Sequence, residues 1–278
     1  MRKTYIIIIS IALPLLLVFW VLWANVALEC NGCSAKVKGL PSAFDGFRIA
    51  HVSDLHNSDV ADSLLKSLRV QKPDIIAVTG DSIDCNRTDI GKALEFFKSA
   101  ATIAPVYYVT GNHEAWIAPD TYAEYEKKLV DSGVRVLRNE AVTLTRGDKT
   151  ITLVGIDDPE FTNVQYEGGI GETLRLPDLS LLMGDGTNIL LAHRPEYFEE
   201  YADAGFDLVL SGHTHGGQFR IPFVGGVSAH GQGWFPRYDA GRFESGNTTM
   251  VISRGIGNSK IPVRINNRPE LVMIQLHK

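Results

Sequence analysis

The 278-residue chain is poor in cysteine, with three residues, Cys30, Cys33 and Cys85. Three thiols cannot build a disulfide scaffold, so the fold does not depend on one. A basic surplus is also missing: 27 Lys and Arg stand against 32 Asp and Glu, a formal charge of −5. That balance argues against a nucleic-acid binder, which presents a basic face. There is no internal repeat and no low-complexity tract. A composition of 45% hydrophobic and 21% charged residues excludes a disordered or fibrous chain. No second C-x-x-C accompanies Cys30 and Cys33, so this pair reads as incidental thiols or a local disulfide rather than a redox or metal half-site.

One segment departs from the average. Tyr5 to Leu28 runs for 24 residues without a charge. A helix of that length reaches about 36 Å, enough for a hydrocarbon core of about 30 Å. The apolar part of a cleaved signal peptide is shorter, and Ala24 to Ala27 matches a cleavage site poorly. The expectation is a retained transmembrane signal anchor over 1–28, followed by a linker over 29–45 with Gly, Pro and Ser and no sustained period. Arg2 and Lys3 precede the span, and such a positive tail stays cytoplasmic. The reading is therefore a single-pass protein of the cell membrane whose body, 46–278, is extracytoplasmic.

That body alternates short apolar runs with amphipathic stretches. Strands are expected at Phe47–Val52, Ile75–Val78 and Val106–Val109, with helices over 61–71, 89–100 and 120–131 between and after them. This βαβαβα order implies parallel strands and crossover helices. Further strands are expected at Val134–Leu137, Ala141–Thr145, Ile151–Ile156, Ile189–Ala192, Leu208–Leu210, Met250–Ser253 and Leu271–Gln275, and a helix over Pro195–Ala204. Gly147-Asp148 marks a hairpin turn. The fold class is α/β, layered, with mixed sheets. Gly216 to Gly241 is an irregular stretch rich in Gly, Pro and aromatics.

The chemistry follows the strands. Five successive strand ends deliver Ser53-Asp54-Leu55-His56, Thr79-Gly80-Asp81-Ser82-Ile83-Asp84, Thr110-Gly111-Asn112-His113-Glu114, His193, and Ser211-Gly212-His213-Thr214-His215. Ligands of open α/β sheets bind beyond the carboxyl ends of strands. Imidazole together with carboxylate suits Zn, Mn, Fe or Ni, whereas all-oxygen sites suit Ca or Mg. Asp54, His56, Asp81, Asn112, His193, His213 and His215 make seven candidate ligands, too many for one ion. Two ions sharing one carboxylate would use them all. His51, His230 and His277 stand outside these motifs and read as ordinary core or surface residues.

The ordered set D-x-H, G-D-x-x-D, G-N-H-E, H and G-H-T-H resembles the calcineurin-like metallophosphoesterase superfamily, and with the N-terminal span it looks most like the membrane-anchored bacterial branch. The resemblance implies a four-layer sandwich of two mixed β-sheets flanked by helices. It implies that Asp54, His56, Asp81 and His215 hold one divalent transition metal ion, and Asp81, Asn112, His193 and His213 another, with Asp81 bridging. Two cations would generate a bridging hydroxide near neutral pH and bind phosphoryl oxygens. His113 would be the general acid, and Asp84 resembles the family aspartate that orients it. In the protein-phosphatase branch an Arg follows the second Asp of G-D-x-x-D; here Cys85 stands there, with Arg87 two residues on. A phosphodiester or pyrophosphate substrate is therefore favoured over a phosphomonoester, and a lipid-linked or cell-envelope phosphoester suits the anchor. A phosphomonoesterase of the same fold is the alternative, followed by a non-catalytic metal-binding scaffold.

Overall fold

Apolar residues on both faces of a strand require cover on both faces, and the short runs at the centre of this chain have that character. The computed structural model describes residues 2–162 and 174–278; the side chains of residues 2–4, 6–9 and 162 lie outside this description. In chain order the elements are α1 (Arg2–Val26), β1 (Glu29–Lys36), β2 (Arg48–Val52), α2 (Ala61–Gln71), β3 (Ile75–Thr79), α3 (Ile90–Ala101), β4 (Val106–Val109), α4 (Asn112–Ala115), α5 (Pro119–Asp131) and β5 (Val134–Val136). There follow β6 (Glu140–Arg146), β7 (Lys149–Gly155), β8 (Asn188–Leu191), α6 (Phe198–Ala204), β9 (Leu208–Ser211), β10 (Arg220–Ile221), β11 (Gly225–Gly226), β12 (Ser228–Ala229), β13 (Gly233–Trp234), β14 (Gly241–Ser245), β15 (Thr248–Ile252) and β16 (Glu270–His277).

Two six-stranded sheets form the frame, ordered β1-β16-β2-β3-β4-β5 and β14-β15-β9-β8-β7-β6. Strands β2 to β5 are parallel neighbours, while β16 runs antiparallel to β2. In the second sheet β7, β8, β9 and β15 are parallel, with antiparallel β6 and β14 at the edges. Both sheets are thus mixed. Their inner faces meet through Ile49, Ile75, Leu153, Leu191, Leu210 and Ile274, all buried. On the outer face of the first sheet, Leu64 and Leu68 of α2, Phe97 of α3 and Leu129 of α5 form a second core. Phe198 and Tyr201 of α6 cover the second sheet. The layers run helix, sheet, sheet, helix.

Local chemistry sets several boundaries. The Asp89 side chain accepts from the Lys92 N–H and caps α3, satisfying a donor that the first turn leaves open. Pro119 opens α5, where its missing N–H costs nothing. The β6–β7 hairpin turns at Gly147 with φ 65°.

Residues 29–45 are not a linker throughout. Glu29–Lys36 forms edge strand β1, paired parallel to β16 from Glu29↔Glu270 to Lys36↔His277. The sequence Glu-Cys-Asn-Gly-Cys-Ser-Ala-Lys carries almost no apolar signal because its side chains largely face water and backbone pairing holds it. Arg254 adds a clamp, reaching Glu29 at 2.6 Å and Glu270 at 3.0 Å. Cys30 and Cys33 are free thiols on this strand; positions three apart point to opposite faces, so a local disulfide is excluded.

The transmembrane segment expected over 1–28 also needs restating. Among the described residues no helix is long and apolar enough to cross a membrane. Ile6 to Ile9, on which that expectation drew, lie outside the described side chains. What the structure gives is α1, whose Leu13, Leu15, Leu16, Leu17, Phe19 and Leu22 are all exposed.

Ile274, on β16, is fully buried in the contact between the sheets. Truncation leaves a cavity that the sheet frame cannot collapse into. We expect Ile274→Ala to lower unfolding free energy by about 2–5 kcal/mol, measured by urea denaturation.

Candidate metal centre

Strands β2, β3 and β4 lie side by side in one sheet, and β8 and β9 side by side in the other. Their carboxyl ends open at the same end of the sandwich, which brings five separate stretches of sequence together. The backbone turns sharply there. Asp54, His56, Asp81, His213 and His215 all have positive φ, of 52°, 42°, 51°, 70° and 49°. Left-handed conformations in non-glycine residues are uncommon, and their concentration marks strain that surrounding structure must hold.

That structure consists of loop-to-loop hydrogen bonds. The Asp54 N–H donates to Gly80 O at 3.1 Å, His56 N–H to Asp81 O at 3.0 Å, and Gly212 N–H to His193 O at 3.0 Å. The Glu114 carboxylate accepts from the backbone N–H groups of Gly111 (2.8 Å), Asp81 (2.9 Å), Ser82 (2.8 Å) and Ile83 (3.2 Å). It rivets the loop after β3 to the loop after β4. Glu114 closes the G-N-H-E motif, whose spacing alone gives it no role. Its signal is an acid placed where two turns expose several N–H donors.

The candidate ligand atoms converge. Asp54, His56, Asp81 and His215 each place one such atom within 4.8 Å of the others, and so do Asp81, His193 and His213. Asp81 belongs to both groups. Its Oδ2 lies 3.5 Å from His56 Nε2 and 3.3 Å from His193 Nε2. Asn112 Oδ1 is 3.2 Å from His193 Nε2. His56 Nε2 faces His215 Nε2, and His213 Nδ1 faces His193 Nε2, each at 3.1 Å. His193 Nδ1 donates to Thr79 O at 2.7 Å, which leaves Nε2 as the ring atom that faces Asp81. Outer hydrogen bonds of this kind fix the tautomer of a metal-binding imidazole. Paired ring nitrogens pointing at one another beside shared carboxylates are a donor set that divalent cations fit.

Electrostatics agree with this fit. Burial holds His56 down to about 3, and holds His213 and His215 well below the ordinary imidazole range; all three are neutral, as ligands must be. Burial pushes Asp54 up to about 6. Burial also works against His193, yet the adjoining Asp81 carboxylate raises it to about 10. Asp81 lies well below its usual range despite its burial, chiefly because of His193.

One sequence expectation takes a different form. Asp84 makes no hydrogen bond to His113. Its carboxylate accepts from the N–H groups of Asn86 (2.8 Å) and Arg87 (3.2 Å) and from Arg87 Nη2 (3.1 Å). His113 Nδ1 instead accepts from the Cys85 N–H at 3.0 Å, because the turn after Asp84 closes on its own backbone. Asp84 and His113 still share one buried group with His56. Arg87 is tied to Asp84 and to Asn258 O and does not line the cavity above the cluster.

That cavity holds about 450 Å³ and is lined by Asp81, Asn112, His113, Trp116, His213 and His215, together with His230 and Lys260. His230, read from sequence as an ordinary residue, stands with its ring 5.3 Å from that of His213. Nothing in the local pattern announced this, because the 216–241 stretch is positioned by short pairings, β10 with β11 and β12 with β13. Arg264 is a second omission: fully buried, it reaches His215 Nδ1 at 3.2 Å. His51 and His277 lie elsewhere, against Thr79 and Asp45.

Fold and cluster together define an α/β sandwich whose strand ends gather His and Asp side chains into a candidate metal-binding cluster. A family model described as calcineurin-like phosphoesterase matches residues 47–217. The chain belongs to this family. It is 31% identical over 257 residues to the uncharacterized metallophosphoesterase YkuE of Bacillus subtilis, covering 90% of this chain and 85% of that protein. It is 30% identical to the phosphodiesterase YaeI of Escherichia coli over 83% of this chain and 82% of that one. Among solved structures, the Thermus thermophilus sulfate thiohydrolase SoxB aligns with a TM-score of 0.51 at 12% identity, over 86% of this chain and 57% of that one, a likeness of fold.

Two outcomes are expected. A Cβ on Gly111 would lie 2.2 Å from Asp81 Oδ1 and 2.6 Å from its backbone N, so Gly111→Ala should displace the shared carboxylate and cut bound metal, measured by elemental analysis. Metal loading must remove the proton that Asp81 holds on His193. Calorimetric titration with Mn²⁺ at neutral pH should show about one proton released, with binding tightening as pH rises toward 10.

Proposed function

We propose that this protein is a dinuclear metal-dependent phosphohydrolase that cleaves phosphodiester or pyrophosphate bonds beside a membrane. The observation that carries the reading is the sharing of Asp81 between two groups of ligand atoms. Asp54, His56, Asp81 and His215 would hold one divalent cation, and Asp81, Asn112, His193 and His213 the other. When bound, such a pair supplies Lewis acidity and a nucleophile available at neutral pH.

The chain's own residues supply the rest. Because His113 Nδ1 accepts from the Cys85 N–H, the proton of the neutral ring sits on Nε2. That atom lies 3.1 Å from Ser259 Oγ and 4.0 Å from Asp81 Oδ2, at the cavity wall. It is placed to donate to the oxygen that leaves phosphorus. For that transfer to leave a neutral ring, Nδ1 must carry a proton as well, and the Asp84 carboxylate, in one buried group with His56 and His113, would be the acceptor that orients it. Lys260 is the one lysine among the described lining residues, and no arginine is among them. A phosphodiester carries one charge fewer than a monoester and asks less of such a wall. YaeI carries the name phosphodiesterase, in keeping with this preference.

Tethering rests on α1. A helix whose described side chains are nearly all apolar and, among the described residues, mostly exposed has lipid as its natural surroundings. The substrate would then be a phosphoester of the membrane or envelope within reach of the tethered body.

The test is a panel of mono- and diesters with Mn, Zn or Fe supplied. Hydrolysis of bis-p-nitrophenyl phosphate that depends on added metal is expected. His113→Ala should keep its metal and lose about 10²-fold or more on alkyl diesters, whose leaving groups need a proton, with a smaller loss on p-nitrophenyl diesters. Equal rates on alkyl diesters would remove His113 from the chemistry.

A further inference from the structure

Segments that line the cavity, or adjoin residues that do, carry apolar side chains left exposed among the described residues. Phe223 and Val224 sit at the tip of the β10–β11 turn, Trp234 and Phe235 at the end of β13, and Ile261 and Val263 on the segment leading to β16; all six are exposed, Phe223 fully and Trp234 to 76%. An exposed cluster of this kind marks an interaction surface. Both phenylalanines are also held at positive φ, 67° for Phe223 and 54° for Phe235. Bulky residues adopt that conformation at a cost, so two hairpins meet strain while turning aromatic rings away from the core.

These loops are one surface. Gln218 Nε2 donates to Ile261 O at 2.8 Å and to Val263 O at 2.7 Å, and Arg220 N–H to Ile265 O at 3.0 Å. Ile261, Lys260 and Gly233 all line the cavity. The same segment receives the end of α1. Arg264 N–H donates to Asn25 Oδ1 at 2.7 Å, and Asn25 Nδ2 to Arg264 O at 2.9 Å. Arg268 donates to Ala27 O and Leu28 O and lies over the Trp23 ring. The exposed apolar helix and the exposed apolar rim are therefore joined through a few residues of backbone, in the segment whose Lys260 and Ile261 line the cavity. Tryptophan and phenylalanine beside lysine and arginine, here Lys260 and Arg237, are the residues that settle at a headgroup layer.

We infer that the rim formed by the 221–224, 234–235 and 261–263 segments docks on the bilayer that receives α1, so that the cavity takes phosphoesters from the lipid headgroup layer. The inference rests on the phosphoesterase and tethering readings above. It requires α1 to lie in lipid, not that it cross it.

The test uses the full chain reconstituted in phosphatidylcholine vesicles, with Phe223→Asn, Trp234→Ser and Phe235→Asn combined. Asparagine tolerates positive φ, so the turns are kept. Two substrates share a leaving group: bis-p-nitrophenyl phosphate in water, and a diacylglycerol p-nitrophenyl phosphodiester in the vesicle. We expect the triple variant to stay within about twofold on the soluble diester and to lose about tenfold or more, a difference of about 1.4 kcal/mol, on the vesicle-borne one. Equal losses on both, or no loss on either, would overturn docking. Absence of hydrolysis by the unsubstituted chain would overturn the phosphoesterase reading instead. Docking is then decided without activity: an environment-sensitive fluorophore on Phe235→Cys, with Cys30, Cys33 and Cys85 changed to Ser, should shift to the blue in vesicles. An unchanged spectrum would overturn it.

Discussion

Two carboxylates, Asp54 and Asp81, are buried within a few ångströms of one another, and most of the site can be understood as the means of keeping them there. Burying an ionised acid is costly unless positive charge or donors meet it. His193 supplies the charge, and the N–H groups of His113 and His213 supply donors to Asp81 and Asp54. The remaining imbalance is what divalent cations would neutralise. Left-handed backbone at five of the seven candidate ligands is the conformational cost of aiming so many polar groups inward at once.

The two sheets divide this work. The first, through the loops after β2, β3 and β4, brings both acids, Asn112 and His113. The second, through those after β8 and β9, brings three imidazoles. Neither half is a site alone. The apolar contact between inner faces, from Ile49 and Ile75 to Leu191 and Leu210, is therefore part of the chemistry, since it sets the distance across which Asp81 meets His193. Glu114 does the same locally by gathering N–H groups from two loops. Arg264 extends the arrangement outward, with His215 on one side and Asn25 of α1 on the other. The segment that borders the cavity is thereby rigidly joined to the helix proposed to meet the lipid.

Much of this was legible in the residues. Period and composition placed β3 and β4 and the helices α2, α3 and α5 to within a residue or two, because each pairs an apolar face with a fixed spacing. Other features left no such trace. Strand β1 is polar and held by its backbone. His230 comes to the cavity through two-residue pairings whose partners are close in sequence but shaped by glycines. Arg264 looks like any surface arginine until the chain around it closes. Asp84 was expected to face His113, yet hydrogen bonds of its own turn hold it.

Sequence alone determined which chemistry was available: imidazoles, acids and an amide following short buried strands, in an order that identifies the family. That information is local, written in side-chain type and in the spacing of apolar residues. Tertiary structure decided which of those groups share an ion-sized space, which histidine outside the motifs joins them at the cavity, and that the 260–264 segment both lines that cavity and holds the end of α1. Those relations depend on contacts between residues far apart in the chain, and a packed core fixes them only when both sheets are in place.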